Sequence, residues 1–576
     1  VEVNSRLSAQ GEHLQQLNTT DLTELCKQLE NLNIEAVAIN LLFSFIDDSE
    51  ERKIELAVAD YFSSKKLFIS RSSDVLPEYK EFERGMTTTL NAKVGPLMQG
   101  YLHRLEDELL GRWNRQERSH DDQLAENSVA LSIMKSSGGS TSVEHAGRYP
   151  VNLLLSGPAG GLKGAQHVAS ASGVEQLLSF DMGGTSTDVS IIDKEIGFTT
   201  GAKIAGYPVA VPMVDMHTIG AGGGSIAQVD AGGLLLVGPE SAGASPGPAC
   251  YGNGGKRPTV TDANVVLARL LPQSFLGGNM SLDKEAAFAA VQTIADALSS
   301  TADPVTVEQA ALGIIDVVND HMVRALRVMS VERGEDPKDY TLVSFGGAGG
   351  LHVCALAEEL EMTKALVPVD AGVLSALGML VADASRERSR TVNRQLKDCD
   401  EDSLNNVFSE LLDQTKGELA ADDVSTDDVN TGSASIEEIL SVDVRYRGQS
   451  NTLSLFWSNL QNIERLFHQK HEDSYGHQLD IDIELVNVRV RVIERRQSFE
   501  LAGWQPTEKS EQELISMPGI EKPVVAINRA SLEIGQKLKG PLLITETSST
   551  TWLAEDWHVT VDDVGNLLLF NQCIAE

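Results

Sequence analysis

Residues 177–192 read Leu-Leu-Ser-Phe-Asp-Met-Gly-Gly-Thr-Ser-Thr-Asp-Val-Ser-Ile-Ile, two strand-like runs that meet across a Gly-Gly pair with a carboxylate on either side. Apolar, β-favouring runs around a short glycine turn predict an antiparallel hairpin. A turn needs only the glycines. The rest of the segment suits phosphate. Gly183 and Gly184 let backbone N–H groups approach anionic oxygens, and the hydroxyls of Thr185 and Thr187 add donors. Asp181 and Asp188 are spaced to hold a hydrated Mg²⁺ beside them. The alternative is a glycine hairpin that merely turns.

Two further glycine runs sit where a strand is predicted to feed a helix. In 344–352 a short strand delivers into Gly346, Gly347, Ala348, Gly349 and Gly350 before a helix, a place where N–H groups favour an anion or a closely approaching nucleotide. Close packing alone also calls for such glycines. In 155–161 the reading is again strand, then Gly157, Gly160 and Gly161, then a helix over 162–171. Three such loops point to one bound polyphosphate.

Other clusters bear on chemistry less directly. Asp215 and His217 are read two residues apart on one strand face, just before a glycine loop, which suits a metal-ligand pair or a general acid/base. A hydrogen-bonded strand histidine is the competing reading. Cys250 lies in a rigid Gly/Pro loop over 241–252, as a nucleophile or a structural thiol, and Asp262 reads as a helix cap. Arg324, Arg327, Glu332 and Arg333 end or follow the helix predicted over 310–327, either at the nucleotide or on a solvated face.

The surrounding pattern is α/β. Helical spacing over 21–32 and 50–62 alternates with apolar runs at 37–45, read as a buried strand, and at 66–70. Leu97, Tyr101, Leu105 and Leu109 mark an amphipathic helix over 90–110, broken near its start by Gly95-Pro96 and stopped by Gly111. A polar segment follows at 114–127. The strand at 342–345 precedes a helix at 351–360. Beyond 397 the composition turns acidic around a helix at 404–419, and strands follow at 442–446, 453–456 and 486–492.

Acidic residues outnumber basic ones 83 to 47 among 576 residues, a formal charge of −36 that repels a phosphate backbone or an anionic membrane. Nucleic acid and membrane partners are excluded on that ground. No apolar run approaches the roughly 18 residues of a membrane span. The five cysteines have no short pair spacing, which predicts a reducing, cytoplasmic setting without disulfides. The opening Val1-Glu2-Val3-Asn4 has neither an initiator Met nor a signal peptide, so sequence is expected upstream.

The strand–Asp–Gly-Gly-Thr hairpin followed much later by a strand–Gly-Gly-Ala–helix resembles the actin, hexokinase and Hsp70 ATPase superfamily. More closely, 75–84, 153–161, 180–188, 218–227, 238–264, 345–352, 371–383, 444–449 and 475–476 resemble the hydantoinase/oxoprolinase family, specifically its HyuA-type, N-methylhydantoinase A or 5-oxoprolinase-like, ATP-binding subunit. The family's own opening phosphate hairpin would stand before residue 1.

The resemblance implies an α/β fold with an actin-like (hexokinase/Hsp70) ATPase core and a β-rich α+β C-terminal domain. It divides the chain into a remainder of the first lobe with a helical insertion (1–146), a second lobe with the phosphate and adenosine loops (147–392) and the C-terminal domain (393–576). It implies ATP-dependent opening of a cyclic amide such as 5-oxoproline or a hydantoin, with ATP and Mg²⁺ as cofactors and a separate HyuB-type second subunit. ATP-driven ketone carboxylation and a non-catalytic actin-like ATP-binding module are the alternatives.

Overall fold

Where the hairpin was predicted, strands Gln176–Met182 and Thr187–Asp193 pair antiparallel, with Asp181 opposite Asp188 and Met182 opposite Thr187. The computed structural model describes all residues except 118–130, 205, 301–302, 423–434, 496–498, 509–511 and 572–576. These fall into two units, each discontinuous in sequence. The sequence reading draws three consecutive segments instead; 393–498 falls in the first unit and 499–576 in the second.

The first unit comprises 1–156, 198–213 and 382–498. Its N-terminal part is a parallel strand pair, Ala36–Ile39 and Phe68–Arg71, under helices Thr19–Asn31 and Ser49–Tyr61. Leu25, Leu29, Ile39, Ile54 and Val58 form its core. The buried strand expected over 37–45 stops at Ile39, and the backbone turns at Phe43 with φ 63°. A six-stranded sheet fills the rest, in the order Leu453–Phe456, Ser435–Tyr446, Ile483–Arg495, Ala384–Gln395, Ser140–Ser142, Ser132–Met134. Val442, Val444, Tyr446, Leu485 and Val488 on its strands pack with Phe408 and Phe467 from helices Glu401–Asp422 and Leu460–Tyr475.

Helix Glu81–Glu117 corrects the sequence reading twice. It runs through both Pro96 and Gly111, since one proline removes a single helical hydrogen bond that a long, packed helix can forgo. Gly95 lets it lie flush on the strand pair: a Cβ there would fall 2.3 Å from the Phe68 ring. Leu97, Tyr101 and Leu109 face solvent. The buried face instead carries Arg84, Thr87, Thr88 and Asn91, whose hydrogen bonds are satisfied internally, so it does not read as apolar.

The second unit comprises 157–197, 214–381 and 499–576. Its main sheet runs His217–Ile219, Thr187–Asp193, Gln176–Met182, Thr341–Phe345, Lys364–Val367, Leu567–Asn571, Trp557–Val561, Lys537–Lys539. The strands beginning at Gln176, Thr341 and Lys364 are parallel neighbours. Their carboxyl ends carry the loops that follow Met182 and Phe345, the position where open α/β sheets bind ligands. Helix Val307–Met329 starts on a capping box, Thr306 with Gln309, and buries Ile314, Val318, Met322 and Leu326 completely. Among the described residues no helix is long and apolar enough to cross a membrane. Cys26, Cys250, Cys354 and Cys399 are free thiols; Cys573 lies outside the described residues.

Candidate active site

In an antiparallel pair, directly opposed residues share a face. Asp181 and Asp188 therefore stand together on one face of the hairpin, and Thr218 of the next strand, opposite Asp188, donates its hydroxyl to Asp188 Oδ1 at 2.5 Å. Burial, and then the neighbouring Asp188 charge, push the Asp181 carboxyl up to about 7. Burial also raises Asp188, against the opposing effect of the Thr218 hydroxyl. Two neighbouring buried carboxyls, each with its pKa raised chiefly by burial, make a donor set suited to a hard divalent cation.

The turn above them is open. Gly184 and Thr185 are exposed, and among the described residues their amides have no protein acceptor. Gly183 closes the turn by donating to Ser186 O at 3.1 Å. A second glycine loop holds this turn from behind: Gly223 N–H donates to Gly183 O at 3.0 Å and Gly224 N–H to Gly184 O at 2.6 Å. A Cβ on Gly222 would lie 2.8 Å from Thr185 N, so the contact requires glycine. Thr261 in turn fixes that loop, both its amide and its hydroxyl reaching Gly223 O at 2.8 Å.

The loop after Phe345 closes the other side. Gly346, at φ 79°, lies so close that a Cβ would fall 2.3 Å from Asp181 Oδ1, and Ala348 N–H donates to Met182 O at 3.1 Å. Gly349 and Gly350 lead into helix Val353–Glu359, in the order expected from the sequence. Gly347 is exposed and faces Ser548, whose carbonyl would lie 3.4 Å from a Cβ there. Gly350 packs on Thr550 and Thr551. The stretch 546–551 thus borders the glycine loop, a role the sequence reading did not assign.

Several expected site residues stand elsewhere. Thr187 is fully buried on the opposite hairpin face, and its hydroxyl donates to Ala221 O at 2.6 Å, so its proton is spent inside the fold. Gly157, Gly160 and Gly161 do not follow a strand; they lie in the first turns of helix Ser156–Ala171. There Gly160 packs against Gly378, where a Cβ would meet Gly160 O at 1.7 Å; Gly161 packs on Phe345 and also borders the carboxylate pair, since a Cβ there would lie 3.4 Å from Asp181 Oδ2. Close helix packing accounts for both. Nothing crowds Gly157.

Asp215 and His217 do not share a strand face. The chain breaks between Met213–Val214 and His217–Ile219, and Asp215 sits in the break with its amide on Gly197 O at 2.8 Å. Its carboxylate is clasped by both terminal nitrogens of Arg333, Nη2 at 3.1 Å. His217 lies opposite Val189, on the face away from Asp188. Among the described residues no group of three or more His, Cys, Asp or Glu could hold a metal.

Asp262 is a cap, as expected: it closes a capping box with Thr259 and also accepts from Cys250 N–H at 2.8 Å. Burial, reinforced by the Asp262 charge, pushes the Cys250 thiol far above its ordinary range, as befits a structural thiol. Arg324 pairs with Asp320 on the surface, and Arg327 reaches Glu359 O.

Fold and site together define a mixed α/β protein with an exposed glycine turn beside paired carboxyls. A family model described as Hydantoinase/oxoprolinase matches residues 84–388, and one described as Hydantoinase/oxoprolinase N-terminal region matches 1–62. The chain belongs to the hydantoinase/oxoprolinase family of enzymes. It is 31% identical to caprolactamase subunit alpha of Pseudomonas jessenii over 584 residues, 97% of this chain and 80% of that one. The crystal structure of ATP-dependent caprolactamase from that organism superposes with a TM-score of 0.81 at 31% identity, covering 99% of this chain and 81% of that one. The acetophenone carboxylase gamma subunit of Aromatoleum aromaticum is 30% identical over 464 residues, 78% of this chain and 59% of that subunit.

Proposed function

We propose that the chain is the nucleotide-handling subunit of an ATP-dependent amidohydrolase that opens a cyclic amide, built on an actin-like ATPase core and acting with a second, HyuB-type subunit. The observation that carries this reading is the pairing of Asp181 and Asp188 beside the exposed amides of Gly184 and Thr185 and the Gly346–Gly350 loop. A lactam carbonyl is a poor electrophile because amide resonance fills its carbon. ATP with Mg²⁺ would supply the phosphoryl group that turns the carbonyl oxygen into part of a leaving group.

In this reading Asp181 and Asp188 would hold the cation, and the N–H groups of Gly184 and Thr185 would donate to phosphate oxygens. Gly346, Gly347, Ala348, Gly349 and Gly350 let the α-phosphate and adenosine approach the backbone. Thr218 orients Asp188, and the Gly222–Gly224 loop keeps the turn rigid, so the donors are in place before the nucleotide arrives. Asp215, held by Arg333, and His217 are left outside the phosphate cradle.

Likeness to the acetophenone carboxylase subunit favours a second reading, ATP-driven ketone carboxylation. The test is phosphate release from ATP by the chain with its second subunit, across 5-oxoproline, hydantoin, caprolactam, and a ketone with bicarbonate. Stimulation by one lactam is expected; stimulation by ketone and bicarbonate alone would replace the first reading with the second.

A further inference from the structure

The first unit holds an open cavity of about 430 Å³ that no step above uses, a volume within the range of small-molecule sites. Its walls carry both signs of charge. Asp48 stands at the start of helix Ser49–Tyr61 and Arg52 in its first turn; Arg71 ends strand Phe68–Arg71, and Asp74 follows three residues later. Arg388 comes from strand Ala384–Gln395 and Glu418 from helix Glu401–Asp422. Three carboxylates thus share the lining with three guanidiniums, and the lining is neutral as a whole.

These groups are paired, but the pairs do not use all of their capacity. Arg71, whose side chain is 5% exposed, is clasped by Glu55 Oε2 at 2.5 Å and Asp48 Oδ2 at 3.1 Å, and Arg52 Nε reaches the same Asp48 oxygen at 2.7 Å. Arg388 sets both Nε, at 3.1 Å, and Nη2 on one oxygen of Glu418, Oε1. Among the described residues this leaves Asp48 Oδ1 and Glu418 Oε2 as open acceptors, and Arg388 Nη1 and the Gln414 amide as open donors.

The helix wall supplies the room. Gln414, Gly417, Glu418 and Ala421 line the cavity at spacings of three and four, so they share one helix face. Glycine inside a helix costs stability, and a close neighbour such as the Phe68 ring at Gly95 ordinarily explains it. At Gly417 a Cβ would meet nothing within 4 Å. Packing does not call for this glycine; its effect is to keep the cavity wide beside the Arg388–Glu418 pair.

We propose that this cavity binds an amino acid as its zwitterion, the kind of molecule that opening a lactam releases. In that opening a water oxygen bonds to the carbonyl carbon, the ring C–N bond breaks, and the nitrogen keeps the electron pair and takes a proton, leaving a carboxylate and an ammonium on one chain. A single ion entering a neutral, paired lining leaves one charge uncompensated. A zwitterion does not: its ammonium donates to Asp48 Oδ1 or Glu418 Oε2, and its carboxylate accepts from Arg388 Nη1 and the Gln414 amide. The choice of ligand rests on the lactam-opening reading above; the cavity does not.

The test is calorimetric titration of 6-aminohexanoate and of glutamate into the full chain without ATP, with hexanoate and hexylamine as controls that keep one charged end. Saturable binding of at least one amino acid is expected, about tenfold or more tighter than either control. Gly417→Gln fills the cavity and leaves every ion pair in place; it should abolish binding without lowering Tm, since glutamine favours a helix more than glycine does. Asp48→Asn and Glu418→Gln each remove one charged acceptor, and at least one of them should weaken affinity about tenfold. Binding of neither amino acid, equal binding of hexanoate or hexylamine, or full binding in Gly417→Gln, which would place the amino acid elsewhere, would overturn the inference. Should Gly417→Gln fail to fold, the two acid variants decide: unchanged affinity in both overturns it. Lactam-stimulated ATP turnover by a chain that binds no amino acid would sink this site alone, whereas amino-acid binding without that turnover would uphold the site and sink the lactam-opening reading.

Discussion

Asp181→Asn separates what the site costs the fold from what it does for chemistry. The wild-type carboxyl rises from 3.8 to about 7 on folding, chiefly through burial and secondarily through Asp188. The folded chain therefore holds this proton more tightly than the unfolded chain. The stability conferred by that proton is fully present below about pH 4, declines as pH rises, and is gone above about pH 7. Three pKa units at about 1.4 kcal/mol each give a penalty of about 4 kcal/mol at pH 8, falling to about 0.5 kcal/mol at pH 4. Asparagine is isosteric and never ionises, so the variant escapes the penalty. Its Tm should exceed that of the wild type by up to roughly 8 °C at pH 8, at about 2 °C per kcal/mol for a unit this large, and by little at pH 4. Lactam-stimulated ATP turnover should be lost at every pH. Paired thermal scans from pH 4 to 8 read the gap directly. A gap that does not widen with pH, or a variant less stable than wild type at pH 8, would refute the assignment of Asp181 as an ionisation-penalised carboxylate.

The remaining expectations concern the glycines and the thiol. Gly222→Ala places a methyl 2.8 Å from Thr185 N and should shift the Gly183–Thr185 turn; if that turn holds phosphate as proposed, ATP turnover falls about a hundredfold in steady-state assays while the chain stays folded. Gly378→Ala drives a methyl into Gly160 O and should cost about 3 kcal/mol, read as a lower urea midpoint. Cys250→Ser should retain most ATP turnover, and the native Cys250 thiol should resist a thiol reagent until the chain is unfolded, since burial raises its pKa and Asp262 holds its amide.

What could be read in the sequence was local. The Asp181–Asp188 hairpin and the strand, glycine run and helix at 342–360 announce themselves, because turn chemistry and hydrophobic period are carried by adjacent residues. The errors came from contacts between distant parts of the chain. Thr187 looks like a phosphate donor until its hydroxyl is seen to donate to the buried Ala221 carbonyl. Gly160 and Gly161 look like a loop until Gly378 and Phe345 pack against them. The Leu97, Tyr101 and Leu109 stripe looks like a buried face because the true one, built on Arg84, Thr88 and Asn91, is polar and internally bonded. The approach of 546–551 to the glycine loop had no local signal, since those residues reach it through strands that pair more than 170 positions away in sequence.

The most direct test of the central claim is a calorimetric titration of ATP into the full chain with and without Mg²⁺, repeated for Asp188→Asn. The account predicts Mg²⁺-dependent binding that weakens by about tenfold or more in the variant, the effect of removing one charged ligand. Binding indifferent to Mg²⁺, or unchanged in Asp188→Asn, would contradict it.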